Sequence, residues 1–233
     1  MAEKIITNKI RMPLDILMTL LSVILMGGNT LFPDDRVHQI FGISLIVIWV
    51  VHVILNRRWY GALFKGQYKP YRIMQLIVNC DVLICALLLL ISGLLMAWFI
   101  PSEWVGGALG FARTTHLLAS HWYYFFMALH IGLHGAMLAN QLKNHGLIPR
   151  IICILISLYG IYAFIIRGVW KYMFGLQQFF FLDFERGYLL FALDYISIIV
   201  LFATIIHYIR KVVVAMGAAA KQATAGEAEE ADR

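Results

Sequence analysis

The stretch HQIFGISLIVIWVVH, residues 38–52, decides the fold. A histidine stands at each end, and the thirteen residues between them are almost all apolar. In an α-helix, fourteen steps of about 1.5 Å and about 100° place the two imidazoles roughly 21 Å apart and within about 40° of the same face. A membrane-spanning helix of this sequence would therefore hold one imidazole near each face of a bilayer, whose hydrocarbon core is about 30 Å thick.

A second apolar stretch repeats this spacing. His116 and His130 are also fourteen residues apart. Two such helices side by side present two levels with two histidines at each level, and imidazole is a common axial ligand of haem iron. We therefore expect two b-type haems stacked across the membrane, one between His38 and His116 and the other between His52 and His130.

The composition is that of a membrane protein. Of the 233 residues, 61% are hydrophobic and only 14% are charged, a ratio that would expose too much apolar surface in a soluble domain. A membrane-spanning helix requires about 20 apolar residues, and the sequence predicts an all-α integral membrane bundle of six transmembrane helices, at residues 13–32, 37–55, 73–100, 115–140, 148–167 and 188–208. We expect one haem-binding domain, residues 1–217, and a disordered cytoplasmic tail, residues 218–233.

The basic residues predict the orientation of the bundle. Six spans put both termini on one side of the membrane. The termini and the loops on that side carry 14 Lys and Arg residues, against 5 in the three opposite loops. Cytoplasmic loops carry such an excess, so we expect both termini in the cytoplasm, within a bacterial cytoplasmic membrane. The net charge of +6 then reflects topology, and no nucleic-acid partner is expected.

Four further histidines need separate interpretation. His134 lies one turn beyond His130 on the same face, so only one of the two need bind iron and the other would bond a propionate, a quinone or a partner group. We favour His130, because its spacing from His116 matches the first pair. His121 lies about 140° away from the histidine face and is expected not to bind iron. His207 remains a candidate haem ligand or quinone-site residue, and His145 is expected on a solvated loop.

Other polar residues have two interpretations each. Arg113, just before the fourth predicted span, is placed either to pair with a haem propionate or to anchor the helix at the interface. Asp81 and Asp194 lie within apolar spans and would serve proton transfer or interhelical hydrogen bonding. The loop at residues 101–112 is rich in glycine, and the aromatic loop at 168–187 is expected to lie in the membrane interface. The three cysteines are expected to be inert packing residues; they are Cys80, Cys85 and Cys153.

The sequence resembles the flavinylation-associated cytochrome family. The resemblance rests on VHQIFGISLIVIWVVHVILNRRWYGALF at residues 37–64 and LLLLISGLLMAW at residues 87–98. The residues that carry it are His38, Gly42, His52, the segment 56–59 and the pair Ser92-Gly93. The later segments, Arg113 with His116, HIGLH at 130–134 and FALDYISIIVLFATIIHYIRK at 191–211, are similar to longer members. The cytochrome b subunits of formate dehydrogenases and nickel-iron hydrogenases are similar more distantly.

The resemblance implies transmembrane electron transfer. Electrons would pass between quinol or a cytoplasmic reductase and an extracytoplasmic flavin- or haem-bearing protein, and a quinone is a further candidate ligand. We find no residue set for bond-making catalysis and expect an electron-transfer subunit of an oxidoreductase complex. No flavin-attachment sequence is convincing, because ATAGEA near Thr224 is a poor match on the cytoplasmic side. A covalent flavin would therefore belong to a partner protein.

Two alternatives remain open from the sequence. In a transporter or channel, His130, His134, Asp81 and Asp194 would line a proton or metal path, and the purified protein would be colourless. In a membrane anchor for a soluble redox complex, the chain would hold at most one haem. Substitution of His38 or His52 would then leave electron flow intact.

Overall fold

The computed structural model describes residues 2–32, 34–134, 147–181 and 187–231. Within these ranges every regular element is a helix and no strand occurs, which confirms the predicted all-α class. A 3-10 turn, Gly28–Leu31, joins the first two helices. The α-helices are α1 (Ala2–Leu25), α2 (Asp35–Leu55), α3 (Arg57–Gly61), α4 (Pro70–Leu95), α5 (Ser102–Val105), α6 (Ala108–His134), α7 (Ile148–Ile166), α8 (Val169–Met173) and α9 (Gly187–Ala231).

Several of these helices are suited to a lipid bilayer. Among the described residues, α2, α4, α7 and the Gly187–Ala219 part of α9 are long and apolar enough to cross a membrane. Helices α1 and α6 are also long, at 24 and 27 residues, but α1 carries charged residues and α6 carries four histidines. Large apolar side chains are exposed along these helices, as expected where lipid replaces water. Six spans and cytoplasmic termini stay predictions.

The helix ends differ from the predicted ones at three places. Helix α4 ends at Leu95, and α5 and the start of α6 occupy most of the segment 101–112 that the sequence assigned to a loop. The turn Gly106-Gly107 separates the two helices, and Gly106 has a φ of 52°. Helix α9 continues to Ala231 and includes most of the segment predicted as a disordered tail. That segment is rich in alanine and glutamate, which are strong helix formers.

The core lies between the central and C-terminal helices. Helix α6 packs against both α4 and α9, α7 packs against α9, and α1 packs against α2. Tyr124 of α6 is buried and donates a hydrogen bond to the Tyr195 carbonyl of α9 at 2.8 Å. Helix α2 is different, because none of its residues is buried. It is therefore a peripheral helix, held mainly through α1.

The contact between α7 and α9 depends on Gly160. A Cβ atom at this position would lie 2.4 Å from the Ser197 carbonyl oxygen, and backbone atoms cannot move aside as a side chain can. We expect Gly160→Ala to lower the free energy of unfolding by about 1–3 kcal/mol, the usual range for overpacking, in a denaturant titration of the protein in detergent micelles. Gly110→Ala is the control, since a Cβ there meets no atom within 4 Å. Equal stabilities of the two variants would contradict this account.

Candidate functional site

Helices α2 and α6 bring four histidines together as two facing pairs. The ring centroids of His38 and His116 are 6.3 Å apart with an interplanar angle of 68°. The ring centroids of His52 and His130 are also 6.3 Å apart, at 69°. These are the two pairings that the fourteen-residue spacing predicted. Because both helices are continuous between their histidines, the two pairs lie roughly 21 Å apart along the helix axis.

The distance between the rings leaves room for one metal ion in each pair. A first-row metal binds an imidazole nitrogen at about 2 Å, so two imidazoles on opposite sides of one metal have ring centres roughly 6 Å apart. Two free imidazoles in edge-to-face contact span an overlapping range, about 4.5–7 Å. The hydrogen bonds of the rings show which nitrogen of each ring is left to bind a metal.

At the second pair, both rings use Nδ1 as a donor. His52 Nδ1 donates to Asp15 Oδ1 at 2.8 Å, and His130 Nδ1 donates to Asn79 Oδ1 at 2.8 Å. An ionised carboxylate only accepts hydrogen bonds, which fixes the proton of His52 on Nδ1. The Asn56 amide approaches His52 Nε2 only at 3.4 Å, while it donates a shorter bond, 2.9 Å, to the His52 carbonyl. Nε2 is therefore the nitrogen with a lone pair on each ring.

The first pair has a similar arrangement at one ring. Ser92 Oγ donates to the Leu88 carbonyl at 2.6 Å and lies 3.0 Å from His116 Nδ1. Since the hydroxyl proton is engaged with Leu88, the Ser92 oxygen accepts from His116 Nδ1. His38 Nδ1 is buried beside the Gly28 backbone, without a hydrogen bond that meets normal geometry to any described residue.

Three of the four rings thus have Nδ1–H engaged and Nε2 available. Histidines that bind a metal nearly always donate their other ring N–H to a carboxylate, a carbonyl or a similar acceptor, which orients the ring. His121, which lies away from both pairs, also bonds through Nδ1 to a carbonyl, so what sets these four rings apart is that they face each other in pairs at two levels. The four rings therefore fit the axial positions of two metal centres.

The space beside the first pair suits a flat group. Gly42 lies one turn after His38, within about 40° of it around the helix, and a Cβ atom there would meet no atom within 4 Å. On α4, a Cβ at Gly93 would contact the His116 ring, with 3.5 Å to Cε1. A side chain at either position would project beside the histidines. The glycines leave this space open, so the residues present fit a haem.

A haem site requires few protein ligands. The porphyrin supplies four nitrogens to the iron, and the protein adds only the axial ligands. Among the described residues, no group of three or more His, Cys, Asp or Glu side chains is arranged to hold a metal ion. The described part of the chain contains two sites with two histidines each.

The structure also places the two other predicted cofactor-binding residues. His134 is exposed, and its ring centroid lies 4.6 Å from that of His130. It therefore flanks the second pair, while His130 faces His52. Arg113 is exposed on α6, three residues before His116.

The remaining histidines lie away from the pairs or outside the described residues. His121 is buried, stacks on Tyr172 with 4.5 Å between ring centroids, and bonds through Nδ1 to the Leu117 carbonyl at 2.8 Å. Burial raises the pKa of the Tyr172 hydroxyl, and a hydrogen bond from the Phe181 N–H opposes this rise. His207 is half-buried beside Tyr208. His145 lies outside the described residues.

The two aspartates in apolar segments have different surroundings. Asp194 is 0% exposed, accepts a bond from Arg167 Nε at 2.7 Å and another from the Tyr159 hydroxyl at 2.5 Å. The sequence had given Arg167 no role, and only the fold brings it to Asp194. Asp81 is partly exposed on α4. The cysteines are free thiols, with Cys85 buried and Cys80 and Cys153 partly buried.

Two residues of the site escaped the sequence analysis. Asp15 and Asn79 carry the hydrogen bonds to His52 and His130, but neither stands at a spacing that points to a histidine. A weak signal existed for Asp15, since an acidic residue next to a long apolar run is costly and is usually functional.

Comparisons were made with protein-family models, curated proteins and solved structures. No match to this chain was found in any of the three.

Proposed function

We propose that this chain is a membrane cytochrome that carries electrons across the bilayer through two b-type haems. One haem is held by His38 and His116 and the other by His52 and His130. The observation that carries the proposal is the repeated pair: two facing histidines occur twice, with the same 6.3 Å between ring centroids. The Nδ1 hydrogen bonds at both levels support it, because they orient the rings and leave Nε2 to bind iron.

The chain contributes position and environment to this function. When bound, each haem supplies a one-electron ferric/ferrous couple. The histidines set the separation of the two centres along α2 and α6. His134, beside His130, and Arg113, one turn before His116, are the residues that would pair with the propionates. Ionisable residues within membrane segments are costly and usually functional. A role as haem ligands gives a reason for the four histidines on the facing sides of α2 and α6.

The proposal includes an orientation of the protein in the membrane. In a six-helix bundle with cytoplasmic termini, the His38–His116 pair lies near the outer face and the His52–His130 pair near the cytoplasmic face. The chain would be an electron-transfer subunit in a bacterial cytoplasmic membrane. It would connect quinol or a cytoplasmic reductase with an extracytoplasmic flavoprotein or cytochrome. The excess of Lys and Arg on the side of the termini supports this orientation.

The test is a haem count on the purified protein. We expect two haem b groups per chain by pyridine haemochrome assay and a b-type reduced-minus-oxidised spectrum, in protein expressed with adequate haem supply. His38→Ala and His52→Ala should each lower the count from two to one. His207→Ala is the matched control and should leave it at two, as should His134→Ala.

Two outcomes would overturn the proposal. A wild-type protein without haem would remove its basis and favour a transporter that uses intramembrane His and Asp residues. A count of one haem that no longer depends on His38 would reduce the chain to a membrane anchor for another redox protein.

A further inference from the structure

We propose that Asp15 makes the His52–His130 site the centre of lower reduction potential. This inference rests on the proposed function and adds a direction to it. Asp15 is a positioning residue, because it acts on the iron through the His52 ring. An electron would then move downhill from the His52–His130 site to the His38–His116 site, oxidising the first iron and reducing the second by one electron each.

The contact between Asp15 and His52 is held in place by the helices. Asp15 lies on α1, and its Oδ1 accepts the Nδ1 proton of His52 at 2.8 Å. One turn earlier on α1, the Arg11 guanidinium donates to the Leu55 carbonyl at the end of α2, at 2.5 Å. These two bonds join the middle of α1 to the C-terminal end of α2 and fix the register of the two helices. The side chain of Asp15 is 53% exposed and that of His52 is 23% exposed, so the carboxylate lies at the protein surface while it bonds the ring.

The other three rings have neutral neighbours at Nδ1. His130 donates to the Asn79 amide oxygen, His116 donates to the Ser92 hydroxyl, and His38 lies beside the Gly28 backbone. Among the described residues, His52 is the only histidine whose ring is paired with a carboxylate. Asp35 also lies near His38, but it is exposed and accepts no hydrogen bond from that ring. The asymmetry therefore lies in the hydrogen-bonded carboxylate.

A carboxylate changes the ligand more than a neutral acceptor does. It draws the Nδ1 proton towards itself, and the extra electron density on the ring makes Nε2 a stronger donor. Ferric iron carries one more positive charge than ferrous iron, so a stronger donor stabilises the ferric form. The equilibrium shifts towards the oxidised state, and the reduction potential falls. Arg11 and Arg210 place positive charge near the same site. Because these charges are present with and without the Asp15 carboxylate, the difference between wild type and Asp15→Asn reports the carboxylate alone.

The experiment is a redox titration of the purified holoprotein, followed by absorbance. His38→Ala, which retains the His52–His130 site, identifies the potential that belongs to it. In the wild type this potential should be the lower of the two. In Asp15→Asn it should rise by about 59 mV, which for a one-electron couple is a tenfold shift between the ferric and ferrous forms. The other potential should stay unchanged.

Two variants serve as controls. Asp15→Glu keeps the carboxylate and should restore the lower potential. Asp34→Asn removes the same charge at the cap of α2, where Asp34 bonds the Arg36 N–H, and asparagine caps equally well. It should leave the potential of the His52–His130 site unchanged.

The outcomes separate this inference from the proposed function. Two haems with both potentials unchanged in Asp15→Asn would overturn the role of Asp15 and leave the cytochrome standing. Absence of haem from the wild type would overturn both. If Asp15→Asn loses a haem, the variant Asn79→Asp tests the inference in its place. It puts a carboxylate at the position that bonds His130 Nδ1, and this should lower the potential of the same site. An unchanged potential in that variant would overturn the inference.

Discussion

The substitution His52→Ala is expected to slow electron transfer across the membrane by at least about 100-fold. Loss of a residue that only hydrogen-bonds a metal ligand costs about 10–100-fold, and loss of the ligand itself should cost more. The two histidine pairs lie roughly 21 Å apart, so each centre serves one face of the bilayer. Without His52, the His52–His130 site should lose its haem, and one of the two redox centres is then missing. The remaining centre then has no partner within reach on the other side.

Proteoliposomes measure this effect directly. Ferricyanide enclosed in the vesicles is reduced by dithionite added outside, and the rate is followed by absorbance and normalised to protein. His207→Ala is the matched control, since His207 lies beside Tyr208 on α9 and not in either pair. It should retain the wild-type rate. A His52→Ala rate within threefold of wild type would contradict the relay and favour the membrane anchor.

The histidine pairing could be predicted from the sequence because it depends on local geometry. Fourteen residues of uninterrupted helix fix both the distance and the direction between two side chains. Helices α2 and α6 are uninterrupted over His38–His52 and His116–His130. The only further requirement was that the two helices lie next to each other. A repeated spacing made that arrangement the simplest interpretation.

The partners of the histidines could not be predicted in this way. Asp15 is 37 residues from His52, and Asn79 is 51 residues from His130. Neither contact follows from a helical period, because each depends on the register between two separate helices. Tertiary packing sets this register, and one residue of shift would move either side chain by about 100° around its helix.

The start of α6 shows another limit of sequence reasoning. Residues 101–112 contain several glycines, which predicted a loop, but only Gly106 has positive φ in that segment. The residues after it continue as helix from Ala108. Glycine costs a helix only about 1 kcal/mol, and packing against neighbouring helices readily outweighs that cost.

Asp194 was recognised in the sequence as an acidic residue within a span, but its partner was not. Arg167 follows directly after α7, at a position that the sequence assigned to the end of a span. In the fold its guanidinium is 6% exposed and bonded to the carboxylate of α9. The pair joins α7 to α9 and leaves Asp194 engaged. An engaged carboxylate is a structural element, which argues against an open proton path at this point.

The substitution Asp194→Leu is expected to lower the free energy of unfolding by about 3–5 kcal/mol. This is the cost of leaving one member of a buried ion pair without its partner. The Arg167 guanidinium would stay buried with no counter-charge, and the Tyr159 hydroxyl would lose an acceptor. The measurement is a denaturant titration in detergent micelles. Asp81→Leu is the matched control on α4, where the side chain is partly exposed, and it should change stability little.

The double variant Arg167→Met, Asp194→Leu distinguishes a lost attraction from an unpaired charge. Replacing both members of a buried pair by apolar residues of similar size is often neutral or stabilising. We therefore expect the double variant to regain most of the stability that Asp194→Leu loses. A double variant as unstable as the single one would mean that the carboxylate itself holds α7 to α9, through Tyr159. Hydrogen bonding by the carboxylate would then account for the stability, and the charge of Arg167 would contribute little to the free energy of unfolding.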